Sequence, residues 1–319
     1  MKILALSFGR KGQNCDVAAK EALLGAKELG AEIRFINTSN KLIRSCIGCF
    51  GCSHSRENGG DGLCVLKDDM RMVEDAILEA DGVIIAAPVY SVGPNGQLKC
   101  LIDRMGLSHD RAFSDLAKGQ IEMGGGSPEA VMDMRVFKDR YLGLIAVGGA
   151  SDEGWTSMAL PSMHLLAFSM QMPVVDQLNV FDMNVRVSPA LHPDLLDRLN
   201  RLGQNVAEAV GVPNKYAVAW KGDRPGICPA CHNDLLKIKN GLNVECPICG
   251  MRGKLSIRDG QIKAEFPEEE FQHSRMRYGG VHEHMVELLT IGERIPDDVK
   301  VKIPDLKGYL ARYESITVE

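Results

Sequence analysis

The sequence predicts an α/β protein built on a doubly wound parallel sheet, followed by a small metal-binding module. Short apolar runs alternate with helical patterns over the first 212 residues, as expected for a parallel sheet with helices on both faces. The run Gly82–Ala87 is apolar throughout, which is typical of a strand covered on both sides. Two Cys-x-x-Cys pairs in the last third indicate the second module.

The predicted elements follow in order along the chain. Five strands are predicted at Lys2–Ser7, Glu32–Asn37, Gly82–Ala87, Leu142–Val147 and Val174–Val180. The helices between and after them are predicted at Asp16–Gly30, Asp68–Ala80, Gln97–Met105, Trp155–Met170 and Pro193–Val210. Ligands bind such sheets beyond the carboxyl ends of the strands. The loops after strands one, three and four therefore lie at the edge where a site is expected.

The loop after the first strand, Ser7–Cys15, is polar and contains glycine. It leads into a helix whose free N–H groups and positive dipole end suit a phosphate. Arg10 and Lys11 add charge, and Ser7, Gln13 and Asn14 add hydrogen-bond donors. A plain strand-to-helix turn is the alternative, because many such turns carry the same residue types.

The loop after the second strand carries a dense cysteine motif. Cys46, Cys49 and Cys52 are separated by two residues each, and Cys64 follows after eleven more. Four thiolates on irregular, glycine-bearing backbone can hold an iron–sulfur cluster. The long last gap, and Val65 in place of a proline after Cys64, differ from a ferredoxin pattern. Reduced or redox-active thiols, with or without one disulfide, are the alternative.

The last third begins with a linker composition over Gly211–Gly226. Cys228 and Cys231 form one knuckle, and Cys246 and Cys249 form a second after fourteen residues. Hairpins are predicted over Leu235–Glu245 and Leu255–Phe266. This layout predicts a zinc ribbon, whose metal would supply much of its stability. A rubredoxin-like iron site is the alternative, and zinc is favoured because the intervening chain lacks aromatic residues.

Composition limits the function. The net charge of −5 argues against nucleic acid as a partner, and no apolar run is long enough to cross a bilayer. The first residues, Met1–Leu6, are too short an apolar region for a signal peptide. A cytoplasmic location is therefore expected. Ten cysteines in that compartment indicate metal or redox chemistry rather than disulfides.

The motifs together resemble the flavodoxin-like NAD(P)H-dependent FMN reductase family, and most closely its iron–sulfur flavoprotein branch. Arg10, Gly12 and Asn14 match the family's phosphate loop, from which Phe8 and Gly9 depart. Ala87-Pro88-Val89-Tyr90 matches the second flavin loop, and Gly148-Gly149 with Gly154 resembles the third. Cys46 to Cys64 resembles the compact cluster motif, lengthened by a glycine-rich insertion around Arg56–Asp61.

The resemblance implies a set of site residues. The predicted flavin contacts are Ser7, Arg10, Gly12, Gln13, Asn14, Cys15, Pro88, Val89, Tyr90, Ser91, Gly93, Gly148, Gly149 and Gly154. Tyr90 and Trp155 are possible pocket residues, and no conventional acid–base side chain is evident. A [4Fe–4S] cluster is implied at Cys46, Cys49, Cys52 and Cys64, and the ribbon would hold Zn²⁺ at Cys228, Cys231, Cys246 and Cys249.

The resemblance also implies organisation and function. We expect an FMN-binding domain over 1–212 with the cysteine loop 46–64, a ribbon over 222–266 and a charged helical tail over 267–319. A homodimer or homotetramer is expected, with Leu107–Arg140 as a lid, a subunit arm or a disordered loop. Electrons would pass from NAD(P)H or a reduced carrier through FMN to the cluster and an acceptor.

Two alternatives remain open at this stage. One is a plain reductase of a quinone or enone, which would need no cluster. The other is a flavin-bearing scaffold that binds a partner protein through the ribbon and the tail.

Overall fold

The structure is a computed structural model that describes residues 1–58 and 60–316. Gly59, in the predicted insertion at 56–61, and the last three residues of the predicted tail lie outside the described residues. The described part of the chain contains no helix with the length and hydropathy needed to span a membrane.

The main sheet confirms the predicted flavodoxin-like parallel fold. Its strands run β1 Lys2–Ser7, β2 Glu32–Asn37, β3 Gly82–Tyr90, β5 Tyr141–Val147 and β6 Val174–Val180. They lie in the order β2-β1-β3-β5-β6, all parallel. The two-residue strand β4, Gly93–Pro94, pairs antiparallel with the end of β3. The direction of chain progress reverses beside β1, so the crevice between the carboxyl ends of β1 and β3 is the expected ligand position.

Helices cover both faces of the sheet. The helices of the main domain are α1 Asn14–Glu28, α2 Gly51–Glu57, α3 Met70–Glu79, α4 Gly96–Ser108, α5 Arg111–Met123, α6 Ala159–Met163, α7 Leu165–Ser169 and α8 Pro193–Ala209. One face packs on α1 and α8. The other packs on α3, α4, α6 and α7. The apolar strands are thus buried on both sides, as their composition predicts.

Helices α1 and α8 approach each other so closely that two glycines are required. A Cβ on Gly203 would lie 1.6 Å from the carbonyl oxygen of Ala22, and one on Gly25 would lie 2.0 Å from that of Asn200. Both obstacles are backbone atoms, so the helices would have to separate. This contact fixes the second half of α1 against α8.

We therefore expect Gly203→Ala to destabilise the fold by about 1 to 3 kcal/mol, because overpacking forces the helices apart. Gly106→Ala is the matched control, since a Cβ there meets nothing within 4 Å. Removing a helical glycine without a clash should stabilise the protein by about 0.5 to 1 kcal/mol. Chemical denaturation of both variants measures the difference, and equal stabilities would contradict the tight contact.

Several element boundaries differ from the prediction. Pro88, Val89 and Tyr90 belong to β3 rather than to a loop, because Pro88 pairs with Val147 of β5 and the next two residues pair with β4 in a hairpin. The predicted helix Trp155–Met170 is two short helices that meet at His164. Helix α2 falls within the cysteine motif and has no counterpart in the prediction. The segment Leu107–Arg140 completes α4 and then forms α5 and two 3₁₀ turns, so it is not a disordered loop.

The C-terminal third contains both predicted hairpins, and they join into one antiparallel sheet. Strands β7 Lys237–Ile238, β8 Asn243–Glu245, β9 Arg252–Arg258 and β10 Gln261–Glu265 are antiparallel in the order β10-β9-β8-β7. The tail contains α9 Tyr278–Leu289, α10 Asp297–Lys300 and α11 Leu306–Leu310. Val281 and Met285 of α9 pack against Ala112 of α5. The segment predicted as a lid or arm thus supports the tail of its own chain.

Candidate functional site

The loop after β1 is shaped by short polar contacts. Gly12 has a φ of +73°, and its N–H donates to Asp16 Oδ2 at 2.6 Å. Asn37 Nδ2 donates to Asp16 Oδ1 and to the carbonyl of Gly9, at 2.6 and 2.9 Å. Arg10 and Lys11 are exposed on the outer side of the loop. The result is a fixed turn at the positive end of α1, with two free cationic side chains.

Only some of the flavin contacts predicted in this loop are exposed at the protein surface. Ser7 is fully buried, and its Oγ accepts from Gly9 N at 3.4 Å. Cys15 is also buried, and burial followed by the charge of Asp16 raises its pKa to about 12. A Cβ on Gly9 would lie 2.6 Å from Cys15 Cβ. Gly9, which departs from the family pattern, is therefore the residue that leaves room for the Cys15 side chain.

The second loop is the tight hairpin between β3 and β4. Ser91 and Val92 both have positive φ, 50° and 74°, as a two-residue hairpin turn requires. Such a φ is costly for a β-branched residue and is characteristic of functional sites. Tyr90 stands exposed at this turn. The strand thus presents an aromatic side chain on a rigid support beside the first loop.

Asn95, which the sequence reasoning did not single out, connects these two loops. Its Nδ2 donates to the carbonyl of Phe8 at 3.0 Å, and its backbone N–H donates to the carbonyl of Pro88 at 3.2 Å. Its buried Oδ1 has no hydrogen-bond partner within the described chain. No sequence signal marked it, because a single asparagine before a helix reads as an ordinary cap.

The third loop follows β5. Gly148 donates its N–H to Val180 O at 2.8 Å, and a Cβ on it would lie 2.7 Å from Thr156 Cγ2. Asp152 Oδ1 accepts from Gly154 N at 2.8 Å, which shapes the turn before Trp155. Trp155 is 68% exposed. Exposed aromatics at two neighbouring loop ends suit a flat ligand bound between them.

The cysteine motif after β2 is held at both ends by one buried ion pair. Arg104 Nη1 lies 2.5 Å from Asp68 Oδ2, and both side chains are almost completely buried. Asp68 also accepts from Arg44 N at 2.9 Å. Burial alone would raise the pKa of Asp68, but the Arg104 guanidinium and the backbone N–H groups of Arg44 and Met70 outweigh it and lower that pKa.

Among the residues that the structure describes, the four cysteines of this motif do not form a group whose ligand atoms all lie within 4.8 Å of one another, as a single ion would require. Cys49 is exposed, and Cys46, Cys52 and Cys64 are half-buried. Phe50 adopts the left-handed conformation and begins α2, which carries Cys52. Burial is the largest effect that raises the pKa of Cys52, and the nearby Cys64 also raises it. The predicted cluster at these residues stays a prediction.

The ribbon cysteines do form such a site. The Sγ atoms of Cys228, Cys231, Cys246 and Cys249 all lie within 4.8 Å of one another, and all four residues are buried. Asn233 Nδ2 and the backbone N–H of Cys249 point to Cys246 Sγ, at 3.6 and 3.5 Å. Four thiolates in this arrangement suit a tetrahedral ion, either zinc or iron. Among the residues that the structure describes, these four cysteines are the group whose ligand atoms lie close enough together to share one metal ion.

Three loops at the switch point of a flavodoxin-like sheet, together with a four-thiolate module, define a class of mononucleotide-binding redox proteins. The chain belongs to the family described as NADPH-dependent FMN reductase, whose model matches residues 1–184. It is therefore an FMN-dependent oxidoreductase. The residues described above fit this cofactor, because Gly12 leaves open space at a positive helix end and Asn95 Oδ1 lacks a partner among the residues that the structure describes.

Three similar proteins extend this picture. A flavone synthase from Aspergillus candidus is 30% identical over 224 residues, which cover 70% of this chain and 68% of that protein. An iron–sulfur flavoprotein from Methanocaldococcus jannaschii is 40% identical over 164 residues, or 51% of this chain and 69% of that one. The solved structure of a flavone reductase superposes with a TM-score of 0.79 at 26% identity, covering 100% of this chain and 99% of that chain.

Proposed function

We propose that this oxidoreductase takes electrons from NAD(P)H and reduces the carbon–carbon double bond of a small planar enone, such as a flavone. The observation that carries the proposal is the match to the flavone reductase structure along the whole chain, which includes the ribbon and the tail as well as the flavin domain. The iron–sulfur relative, in contrast, matches half of the chain. The flavone synthase similarity points to the same class of compound.

We further propose how the three loops hold FMN. The turn at Arg10–Asn14 would hold the phosphate, because Arg10 and Lys11 are exposed there at the positive end of α1. Tyr90 and Trp155, whose side chains are exposed at neighbouring loops, would hold the isoalloxazine ring. FMN, when bound, supplies two-electron chemistry between the nicotinamide and the acceptor. The chain orients both reactants and shields the ring.

The overall reaction balances without a further oxidant or reductant. NAD(P)H and one proton are consumed with the enone, and NAD(P)⁺ and the saturated ketone are formed. The hydride ends on the β carbon of the enone, and the proton ends on the α carbon. This chemistry does not require the cysteines at 46–64.

The test is anaerobic turnover by the FMN-loaded full chain with flavone and either NADH or NADPH. We expect nicotinamide oxidation that depends on flavone, and a product two hydrogen atoms heavier than flavone by mass spectrometry. The same assay with a quinone separates a broad reductase from an enone reductase. Absence of flavone-dependent oxidation with both nicotinamides would refute the enone proposal.

A second candidate is electron transfer through a [4Fe–4S] cluster. It is favoured by the spacing of Cys46, Cys49, Cys52 and Cys64 and by the 40% identity to an iron–sulfur flavoprotein. Anaerobically prepared protein should then contain about four irons and labile sulfide beyond the ribbon metal. Cys46→Ser should remove them, whereas Cys100→Ser, outside both sets, should not. Protein without labile sulfide after reconstitution would exclude this route.

The assignment of FMN to the first loop makes a separate prediction. Gly9→Ala should weaken FMN binding by about tenfold or more, because the new methyl group would push the loop off Cys15 and displace its N–H groups. Gly119→Ala is the control, since it lies in α5, outside the predicted flavin contacts, and a Cβ there meets nothing within 4 Å. Flavin fluorescence titration measures both affinities. Equal affinities would contradict the placement of the phosphate.

A further inference from the structure

A cavity of about 660 Å³ lies between the main domain and the ribbon. Thr156, His164 and Asn179 line it from the main domain, and Trp220 and His232 line it from the ribbon side. Its volume is in the range of small-molecule sites. Glu153, at the end of the third flavin loop, also lines the cavity. The cavity thus adjoins the loops assigned to FMN without containing the loop after β1.

His164, which lines this cavity, has a buried hydrogen-bond acceptor. Its Nε2 lies 2.7 Å from Gln177 Oε1, and the Gln177 amide is oriented by its own donation to the carbonyl of His232. Nε2 therefore carries the proton and Nδ1 is an acceptor. Burial lowers the pKa of His164 to about 4, which keeps the ring neutral near pH 7. Within the described residues, Nδ1 has no hydrogen-bond partner although the side chain is 1% exposed.

Asn179 offers a second acceptor in the same cavity. Its Nδ2 donates to Thr156 Oγ1 at 2.6 Å, and the Thr156 hydroxyl in turn donates to the carbonyl of Glu153. These two hydrogen bonds fix the orientation of the Asn179 amide. Its Oδ1 is therefore the free atom, and it is buried without a partner among the residues described. Buried acceptors without partners are costly. A ligand that satisfies both must bring two hydrogen-bond donors.

The remaining walls restrict the ligand further. The rings of Trp220 and His232 are stacked, with centroids 4.0 Å apart and planes inclined by 15°. They form a flat aromatic wall. Glu153, Asp223 and Asp234 line the cavity with Arg224, whose guanidinium pairs with two of them. Asp223 in turn pairs with Arg198, so each of these carboxylates has an arginine partner. The lining thus offers paired charges and, among the described residues, no unpaired cation for a phosphate, so a nicotinamide dinucleotide is a poor fit and a neutral flat molecule is a good one.

We infer that this cavity binds neutral planar phenols, with ring hydroxyl groups that donate to His164 Nδ1 and Asn179 Oδ1 and an aromatic ring that lies against Trp220. The inference rests on the proposed function in that it assigns the place where a hydroxylated enone acceptor is recognised. It adds a specificity site formed jointly by the flavin domain and the ribbon. It also gives the ribbon a role beyond stability.

The experiment compares two probes on the FMN-loaded full chain by isothermal titration calorimetry. The flavone 3′,5′-dihydroxyflavone has two hydroxyl groups, both away from the ring carbonyl and free to donate, and flavone itself has none. Wild-type protein should bind 3′,5′-dihydroxyflavone roughly tenfold more tightly than flavone. Asn179→Ala should weaken 3′,5′-dihydroxyflavone binding roughly three- to tenfold, as one lost hydrogen bond predicts, and should leave flavone binding unchanged. Trp220→Ala should weaken both. Asn240→Ala, in the exposed turn between β7 and β8, should change neither.

The outcomes separate this inference from the proposed function. If 3′,5′-dihydroxyflavone fails to bind, or binds equally to wild type, Asn179→Ala and Trp220→Ala, the cavity assignment is overturned. Turnover of flavone could persist in that case, and the proposed function would stand. If the binding pattern is as expected but neither probe is reduced with NAD(P)H, the phenol site stands and the proposed function fails. Flavin absorbance and thermal unfolding verify that each variant is folded.

Discussion

Cys249→Ser is expected to release the ribbon metal and to unfold the C-terminal third of the chain. The ribbon strands are short and mostly exposed, and the four cysteines are the centre of its small core. Structural zinc sites supply about 10 kcal/mol or more of folding free energy in comparable small modules. Metal analysis should show the loss of one ion per chain, and limited proteolysis should cut within 222–289.

The effect should extend beyond the ribbon. Cys249, Ile248 and Met276 belong to the same apolar cluster as Met163 and Leu166 beneath the main sheet, so the unfolded ribbon would expose that face. The flavin domain should therefore also lose stability. Cys100→Ser is the control, because Cys100 contacts Ser45 and lies outside the ribbon. A Cys249→Ser protein with full metal content and wild-type protease resistance would contradict the metal site.

Arg104→Met should have the second largest effect. Removing the guanidinium leaves the buried Asp68 carboxylate without its cationic partner, and breaking such a pair costs about 3 to 5 kcal/mol. The loss should also loosen the cysteine motif, because Asp68 holds Arg44 N and lies four residues after Cys64. Urea denaturation measures the first effect, and the rate of thiol alkylation in native protein measures the second.

Asp103→Asn on the same helix is the matched control. Its pair with Lys99 is exposed, so the loss should be below about 1 kcal/mol. The pH dependence gives a second check. The lowered pKa of Asp68 contributes stability that is present above pH ~4 and is lost as the pH falls through the folded-state value. This acid sensitivity should disappear in Asp68→Asn. Equal stability of Arg104→Met and Asp103→Asn would show that the buried pair is unimportant.

The fold could be predicted from local patterns because the parallel strands are buried on both faces. Gly82–Ala87 and Leu142–Val147 are continuous apolar runs with no other plausible role. The ribbon could be predicted because thiolate spacing is a strong signal, and its four cysteines do converge. The three flavin loops could be predicted from their glycine and polar or charged residues. Their position at one edge of the sheet follows from parallel topology alone.

The remaining features depend on contacts that no local pattern reveals. Pro88–Tyr90 read as a loop, yet the central strand β3 continues through these residues, because it pairs first with β5 and then with β4. The end of the predicted helix Trp155–Met170 was right, but the helix is interrupted at His164, whose side chain hydrogen-bonds to Gln177. The Arg104–Asp68 pair joins residues 36 positions apart. The cavity at His164 exists only because the ribbon packs beside the edge strand β6.

The most direct test of the account is an anaerobic reduction and reoxidation of the bound flavin. One equivalent of NADH or NADPH should bleach the visible absorbance of the FMN-loaded protein. One equivalent of flavone should then restore it and yield the saturated ketone in equal amount. Flavin that is not bleached by either nicotinamide, or that stays reduced when flavone is added, would contradict the assignment of this chain as a nicotinamide-dependent enone reductase.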